Sequence, residues 1–477
     1  MSRAFHRYVD KNTPGSLREM SPITGGRVAD ASRARTRRFG TGFVAILCWS
    51  CVGGAPVLAG ELALGAGYSM LRDSNLTRVP TDPIADWTQT LIGGIAYQEN
   101  TVDVNARLLA QVENRSFVNN TFPDDNGFYL EGAGVWTLLP RQFVWTVEDI
   151  FREVLRDISA VDVPTNRAKA NSLSTGPDFT FRLNPSNTSV VGTRYGRFDI
   201  EGPGDNERVA AYARWLLQAS AEGTFSLNYE VMRTDFEPPA TFTQSVREDR
   251  FIRYFTRPAL DATTIDFGTT RVRPKGGEEM NGRLARLSTA RLLTPDSTLR
   301  VLLADEISDT YSDMLLALGS LTGSTPGGTL TPLQGSSLAT ADVYRSRRGD
   351  LTYANQDSRF GYTLQGYARR IDFEQLNQDS KEKGGRLEGS WLYSGDTRFH
   401  ANADYVRRTF LSFERTDVER NSRVGVTYRL TRELSLVAEG ARTETESTSP
   451  TANFVSRRAM LLFAYSTGPL YAVRPRR

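Results

Sequence analysis

The segment Thr101-Val-Asp-Val-Asn-Ala-Arg-Leu-Leu-Ala-Gln-Val-Glu-Asn-Arg115 decides the fold. Its even-numbered positions from 102 to 112 are all Val, Ala or Leu, whereas its odd-numbered positions are mostly charged or amide-bearing. Successive side chains of a β-strand point to opposite faces, so this period of two predicts one apolar and one polar face. The alternation runs over about 15 residues, whereas strands of soluble proteins usually have about 5 or 6.

The same alternation recurs along the rest of the chain. A typical run is Phe225, Leu227, Tyr229 and Val231 on one face against Thr224, Ser226, Asn228 and Glu230 on the other. Turn residues separate the runs, which predict about twenty strands. These are residues 61–72, 86–98, 101–116, 126–139, 141–154, 168–182, 187–199, 207–221, 223–236, 249–259, 262–273, 280–293, 297–307, 340–354, 358–372, 385–394, 397–410, 419–430, 433–444 and 453–466.

Composition excludes several classes of protein. The 477 residues are 39% hydrophobic, and the body of the chain has no uncharged apolar run of about 18 residues, as a membrane-spanning helix needs. The absence of such a run does not exclude a membrane β-barrel, because polar residues alternate with the lipid-facing residues of its strands. The net charge is only +3, with 58 basic and 55 acidic residues interleaved, so no nucleic-acid partner is expected.

The connections between the predicted strands alternate between short and long. Short turns at one end and long loops at the other are typical of bacterial outer-membrane barrels. Lipid offers no hydrogen-bond partner, so only a closed sheet without edges can span it. The sequence therefore predicts an all-β fold, a transmembrane antiparallel up-and-down β-barrel of about 18–20 strands in the outer membrane of a Gram-negative cell, in contact with its lipid. A soluble β-sandwich is the alternative, although its strands would be shorter.

The first 59 residues resemble a secretory signal. Four arginines between residues 33 and 38 precede an apolar run, and Val57-Leu-Ala59 offers the small residues that a signal peptidase reads. We predict a signal peptide over residues 1–59, cleaved near Ala59, and a barrel over residues 60–477. The only two cysteines, Cys48 and Cys51, belong to this signal; a CxxC redox or metal site is the alternative.

The polar faces of the strands predict a wet lumen of mixed charge. The lumen-lining residues are expected to be Asp103, Arg107, Glu113, Arg115, Arg214, Glu230, Arg300, Arg386, Glu388, Asp404, Arg423 and Arg429. Such a wall suits hydroxyl-rich or anionic chains, but a generic solvated interior of paired charges is equally consistent with it. The longest connection, 308–339, is either a plain exposed loop or contributes a short helix, Met314 to Leu321, to the pore mouth.

Enzymatic functions find little support in the sequence. His400 is the single histidine of residues 60–477, and a hydrolase would need it beside a serine from another strand. A zinc site needs more histidine or cysteine ligands than these residues offer. We expect no enzyme, no catalytic residues, no metal and no cofactor.

The exit of the first strand resembles a known family. Asp73, Asn75, Leu76, Arg78, Val79 and Pro80 are similar to the Asp-x-Asn-hydrophobic-x-Arg-hydrophobic-Pro pattern of exopolysaccharide-biosynthesis outer-membrane barrels, the EpsL-like branch of the β-barrel porin type 2 group. The resemblance implies a conduit that exports an exopolysaccharide from periplasm to cell surface, with the polysaccharide, periplasmic export components and the barrel-assembly machinery as partners. The alternatives are a general or substrate-selective porin for small solutes and an outer-membrane hydrolase using His400. The chain departs from the family in continuing past Tyr465 to Arg477 instead of ending on an aromatic residue.

Overall fold

A computed structural model describes residues 60–202, 204–238, 243–258, 261–315, 342–374, 376, 378–468 and 473. The predicted signal segment, residues 1–59, lies outside them. The described chain forms twenty strands, in agreement with the predicted number. They are β1 (Glu61–Asp73), β2 (Asp86–Asn100), β3 (Val104–Phe117), β4 (Asp125–Leu139), β5 (Phe143–Leu155), β6 (Arg167–Asn184), β7 (Asn187–Ile200), β8 (Asn206–Gln218), β9 (Gly223–Phe236), β10 (Gln244–Thr256), β11 (Asp261–Pro274), β12 (Met280–Thr294), β13 (Ser297–Ser308), β14 (Tyr344–Gln356), β15 (Phe360–Phe373), β16 (Ser380–Leu392), β17 (Thr397–Phe410), β18 (Arg415–Arg429), β19 (Leu434–Ser447) and β20 (Phe454–Ser466).

The sheet closes on itself. Each strand pairs antiparallel with its neighbours in sequence, and β1 also pairs with β20 in the register Gly65 opposite Ser466. Closure satisfies the backbone donors and acceptors that an open edge would leave unpaired. The predicted fold, an antiparallel barrel of up to twenty strands, is confirmed. Among the described residues, no helix has the length and apolar character needed to cross a membrane.

The outer face is apolar in a continuous band. Alternate residues such as Leu227, Ile252, Leu303, Leu351 and Val424 are large, hydrophobic and about half exposed. Exposed apolar surface on this scale needs a nonpolar surrounding, because removing it from water is favourable by about 25 cal/mol per Å². The barrel therefore lies in the outer membrane, as predicted.

Aromatic side chains form a girdle at the end of the barrel that carries the short turns. Phe143 stacks on Phe179 with ring centroids 4.7 Å apart, and the ring centroids of Trp391 and Phe399 are 5.7 Å apart. Such girdles mark the membrane interface, and short turns mark the periplasmic side. Both ends of the barrel sequence, Glu61 and Ser466, are on this side.

One strand begins later than its alternation suggests. The segment from Thr101 to Val104 is a turn, in which the backbone N–H of Thr101 donates to the carbonyl of Val104 at 2.8 Å. Asp103 is therefore an exposed turn residue at the periplasmic rim, outside the strand on whose lumenal face it was expected. Local hydrogen bonding by Thr101 ends the ladder before the pattern of alternation ends.

Candidate functional site in the barrel lumen

The long connection after β13 turns into the barrel. Residues 309–315, here called the inner segment, contain a helical turn at 310–315. Tyr311 and Met314 are buried against the lumenal side chains of β5, β6 and β7, namely Ile150, Val154, Ala168, Ala170, Phe198 and Ile200. These six residues alternate with lipid-facing ones such as Trp145, Phe179 and Tyr195, so they point inward. The inner segment thus packs on the inside of the wall.

A glycine makes room for this contact. A Cβ on Gly196 would lie 2.2 Å from the hydroxyl oxygen of Tyr311, so only glycine allows the ring to lie against β7. The Tyr311 hydroxyl donates to the carbonyl of Leu173 at 3.3 Å, and Met314 Sδ accepts from the Ser172 hydroxyl at 3.5 Å. Burial raises the pKa of Tyr311 to about 12, so the phenol remains neutral and can donate.

A buried ion pair fixes the start of the inner segment. Arg208 of β8 donates to Asp309 at 2.7 Å, and both side chains are less than a tenth exposed. The same guanidinium lies 4.2 Å from the centroid of the Tyr311 ring. Asp309 also accepts from the backbone N–H of Ser312 at 2.8 Å, which closes the helical turn. Because both charges are buried, removing either one would leave an uncompensated charge in a site with little water.

The opposite side of the inner segment contacts a different wall. Asp313 accepts from the hydroxyl of Tyr344 on β14 at 2.6 Å and from Arg369 on β15 at 2.9 Å. Met314, the next residue, contacts β6. The inner segment therefore bridges the β5–β8 wall and the β14–β15 wall, which are separated by several strands in either direction around the barrel. It divides the lumen at this height.

A second connection crosses the extracellular mouth. The loop between β5 and β6 carries Ile158, which packs against Phe410 at the end of β17 in a small apolar cluster. From the start of β18, Arg415 donates to the carbonyl of Ser159 at 2.7 Å. This loop, residues 156–166, therefore reaches from β5 and β6 to the ends of β17 and β18 and restricts access to the lumen from outside.

The structure places nearly all of the predicted lumen residues on the lumenal face of a strand. Eleven of them, all except Asp103, lie on strand faces opposite to the exposed apolar side chains. Arg386 is paired with Asp404 at 2.5 Å and lies 3.5 Å from Glu388, while Arg214 lies 4.0 Å from Glu230. Glu113 and Arg115 pair with each other at 3.4 Å, and Arg423 lies 3.8 Å from Glu439. Arg107, Arg300 and Arg429 lie on lumenal strand faces as well. The role of all these residues in a permeation path stays a prediction.

His400 belongs to the same polar wall. Its Nε2 lies 3.1 Å from Glu439 on β19, and Arg423 lies 3.8 Å from the same carboxylate. Gly425 leaves the space for the imidazole, since a Cβ there would lie 2.4 Å from Nε2. Among the described residues, His400 thus contacts the carboxylate of Glu439, and Ser390 of β16 lies opposite it in the strand register.

The helix expected at Met314 to Leu321 is described only in part, and Met314 and Leu315 are helical. The helical turn begins at Thr310, and residues 316–321 lie outside the described part of the chain. Sequence patterns could not find Gly196 or Arg208 as its partners, because these residues precede the inner segment by about 100 positions. A signal was present only in the segment itself, where an apolar patch follows Asp309.

Comparisons with known proteins concern the fold alone. No protein-family model matches the chain, and no curated protein matches it. Among solved structures, the iron transporter FrpB from Neisseria meningitidis (F3-3 variant) is similar over 85% of this chain and 81% of its own, with 9% identity and a TM-score of 0.45. A mutant of the ferric enterobactin receptor PfeA from Pseudomonas aeruginosa matches over 85% and 80% with 9% identity and a TM-score of 0.42. The copper transporter OprC matches over 85% and 80% with 11% identity and a TM-score of 0.41.

Two expectations are wrong. The similar structures are receptors and transporters for iron, ferric enterobactin and copper, and neither an exopolysaccharide barrel nor a general porin is among those named. The expected kinship with EpsL-like barrels is therefore corrected, and with it the function of polysaccharide export and its alternative as a porin for small solutes. The polysaccharide and the export machinery have no support as partners.

The structure gives a physical reason for the misleading resemblance. Asp73 pairs with Arg78 at 3.0 Å, and the Asn75 side chain bonds both the carbonyl and the N–H of Val79, at 2.7 and 3.1 Å. The Ser456 hydroxyl donates to Asp73 at 2.6 Å and ties the turn to β20. These residues close the turn beside the pairing of β1 with β20. In this chain the contacts of the motif therefore serve to close a turn, and none of them is a contact with a transported ligand.

Proposed function

We propose that this outer-membrane barrel is a gated transporter of a small polar ligand, in which the inner segment is the gate. The observation that carries the proposal is the bridge formed by Asp313 and Met314 between opposite walls of the lumen. An open channel needs no such bridge, and a polymer could not pass it without displacing it. A ligand that binds beside the inner segment and favours its detached state would open the path.

The wall chemistry indicates the class of ligand. The lumenal faces of β14 to β19 present guanidinium groups and carboxylates in pairs, such as Arg408 with Glu382 and Arg386 with Asp404. Paired charges bind a ligand that carries both donors and acceptors, and they offer little to an apolar one. We infer a compact ligand with several hydrogen-bonding or ionised groups.

Planar-bilayer conductance of residues 60–477 tests the gate. The unliganded protein should show low conductance with rare openings. Asp313→Asn weakens the contacts to Tyr344 and Arg369 and should raise the open fraction at least tenfold, since hydrogen bonds to charged groups are worth about 1.5–3 kcal/mol. Asp396→Asn, in an exposed periplasmic turn, is the matched control. A large, constitutively open channel in the unmodified protein would contradict the proposal.

Ligand class is tested separately in proteoliposomes. Uptake of a ferric catecholate, a copper salt, a charged oligopeptide and a neutral disaccharide of similar size is compared under the same conditions. A ligand that is transported should also raise the conductance of the unmodified protein and have little further effect on Asp313→Asn. Equal uptake of all four probes would show passage without selection and would contradict a ligand-gated path.

A further inference from the structure

The outer face of the barrel changes character abruptly above its apolar band. On β9, Phe225, Leu227, Tyr229 and Val231 face the lipid and the next outward residue is Arg233. The eight residue steps from Phe225 to Arg233 rise about 26 Å along the strand, or roughly 20 Å along the barrel axis at a tilt near 40°. This height is close to the roughly 25 Å of an outer-membrane apolar band, so Arg233 lies at its extracellular boundary.

Most strands repeat this arrangement. We call the exposed, outward basic residues above the apolar band the basic collar. Eleven of the strands from β9 round to β1 contribute to it, and its members include Arg72, Arg233, Arg250, Arg271, Arg283, Arg347, Lys383, Arg407, Arg420, Arg442 and Arg457. These positions share the parity of the lipid-facing residues, so their charge is presented to the membrane surface and does not contribute to the lumen wall.

The basic collar deepens into a cleft between β10 and β14. A cavity of about 680 Å³ is lined by Arg250, Arg271, Arg283, Arg345 and Arg347, together with Glu248, Thr269 and Asn281. The cavity exists because the ladder between β12 and β13 stops at Ala285 opposite Asp305, before β13 ends at Ser308. The strands separate there and leave the guanidinium groups around an open recess.

The cleft has excess positive charge. Glu248 is shared by Arg250, at 3.0 Å, and by Arg273 beside the cleft. Asp305 is shared by Arg345 at 2.8 Å and Arg347 at 3.8 Å, and Glu279 pairs with Arg271. With Arg283, six guanidinium groups thus share three carboxylates. Three positive charges remain for a partner.

The height of the cleft relative to the apolar band indicates which kind of anion binds in it. Arg250 lies two residues from lipid-facing Ile252, and Arg271 lies four residues from Phe267, so the cleft is roughly 7–13 Å along the strands from the apolar band. This is the level of lipid headgroups. Guanidinium groups bind phosphate oxygens in pairs, and arginine is the preferred residue for such recognition.

We propose that this cleft binds the phosphorylated headgroup of a glycolipid of the outer leaflet. The acyl chains would lie on Ile252, Phe267 and Leu351 below, and the phosphates would take up the excess positive charge of Arg271, Arg283 and Arg347. Binding there would hold the separated ends of β12 and β13 in place. It does not depend on what the lumen carries.

Thermal unfolding of residues 60–477 in detergent tests the site, with EDTA present so that no divalent cation bridges the charges. Bisphosphorylated lipid A should raise the Tm in a saturable manner, whereas dephosphorylated lipid A should not. The triple variant Arg271→Gln, Arg283→Gln and Arg347→Gln should weaken the apparent Kd at least tenfold, since each guanidinium–phosphate bond is worth about that factor. Circular dichroism verifies that the variant is folded.

The control is a matched triple variant on the far side, Arg407→Gln, Arg420→Gln and Arg442→Gln, which should bind as the unmodified protein does. Equal binding losses in both triple variants would replace the cleft by diffuse attraction to the basic collar and overturn the proposal. Full competition by inorganic phosphate would indicate a free-anion site and overturn the lipid as ligand. An equal Tm shift with dephosphorylated lipid A would overturn it as well.

Discussion

Replacing Gly196 by alanine tests whether the inner segment is held by its fit to the barrel wall. The new Cβ would lie 2.2 Å from the Tyr311 hydroxyl oxygen and 2.9 Å from its Cζ, so the ring must move. Overpacking of this kind costs about 1–3 kcal/mol. Moving the ring also breaks its hydrogen bond to the Leu173 carbonyl, worth about 1 kcal/mol.

Together these terms favour the detached state of the inner segment by about 2–4 kcal/mol, which corresponds to a change of roughly 30- to 900-fold in the open fraction. Residues 60–477 contain no cysteine, so Met314→Cys provides a single thiol at a position that is fully buried when the segment is docked. The rate at which a membrane-impermeant reagent modifies that thiol measures the open fraction. Single-channel conductance should rise in parallel.

Gly440→Ala is the matched control, because a Cβ on this strand glycine meets no atom within 4 Å. It should leave both the labelling rate and the conductance unchanged. Equal labelling of the Gly196→Ala and Gly440→Ala proteins, both in the Met314→Cys background, would refute the claim that the contact between Gly196 and Tyr311 holds the gate.

Three further outcomes follow from the same contacts and from the two faces of the wall. Arg208→Met leaves Asp309 buried without its partner and should stabilise the detached state relative to the docked state by about 3–5 kcal/mol. The labelling rate of the thiol in the Met314→Cys background measures this change, and an unchanged rate would show that the pair is dispensable. Burial alone would raise the pKa of Asp309, but Arg208, the Ser312 N–H and Arg247 hold it below its ordinary value. The ionised carboxylate therefore stabilises docking above about pH 4 and stops doing so as the pH falls through the lowered pKa, so conductance should stay constant from about pH 8 to 5 and rise only in stronger acid. Leu303→Arg, on the lipid face, should destabilise the barrel in phospholipid vesicles by about 2–4 kcal/mol on urea unfolding, while Leu302→Arg, one residue away on the lumenal face, should cost much less.

Strand faces were predictable because their cause is local. A period of two depends only on neighbouring residues, and the lipid outside and the water inside select its two faces. This is why eleven of the twelve proposed lumen residues lie on the expected face of a strand. Asp103 is the exception because a local hydrogen bond between Thr101 and Val104 forms a turn, and the alternation of apolar and polar residues does not reveal that turn.

The basic collar was missed although its signal is local too. Arg233 follows Val231 with the parity of the lipid-facing residues, so its outward direction is implied by the sequence. A charged residue on a strand need not face the lumen, because the strands continue beyond the apolar band. There the outer face contacts lipid headgroups and water. Height along the barrel matters as much as the choice of face.

By itself, the sequence determined that the chain forms long two-faced strands, that they close into an outer-membrane barrel, and which residues face lipid. Tertiary structure alone decided where the loop after β13 lies, because its position depends on Gly196, Arg208, Tyr344 and Arg369, which converge only when the sheet closes. It also decided that the Asp73–Pro80 motif is a turn closure. Alternation is repeated in strand after strand and needs no distant partner, whereas a gate is made of single contacts between residues far apart in sequence.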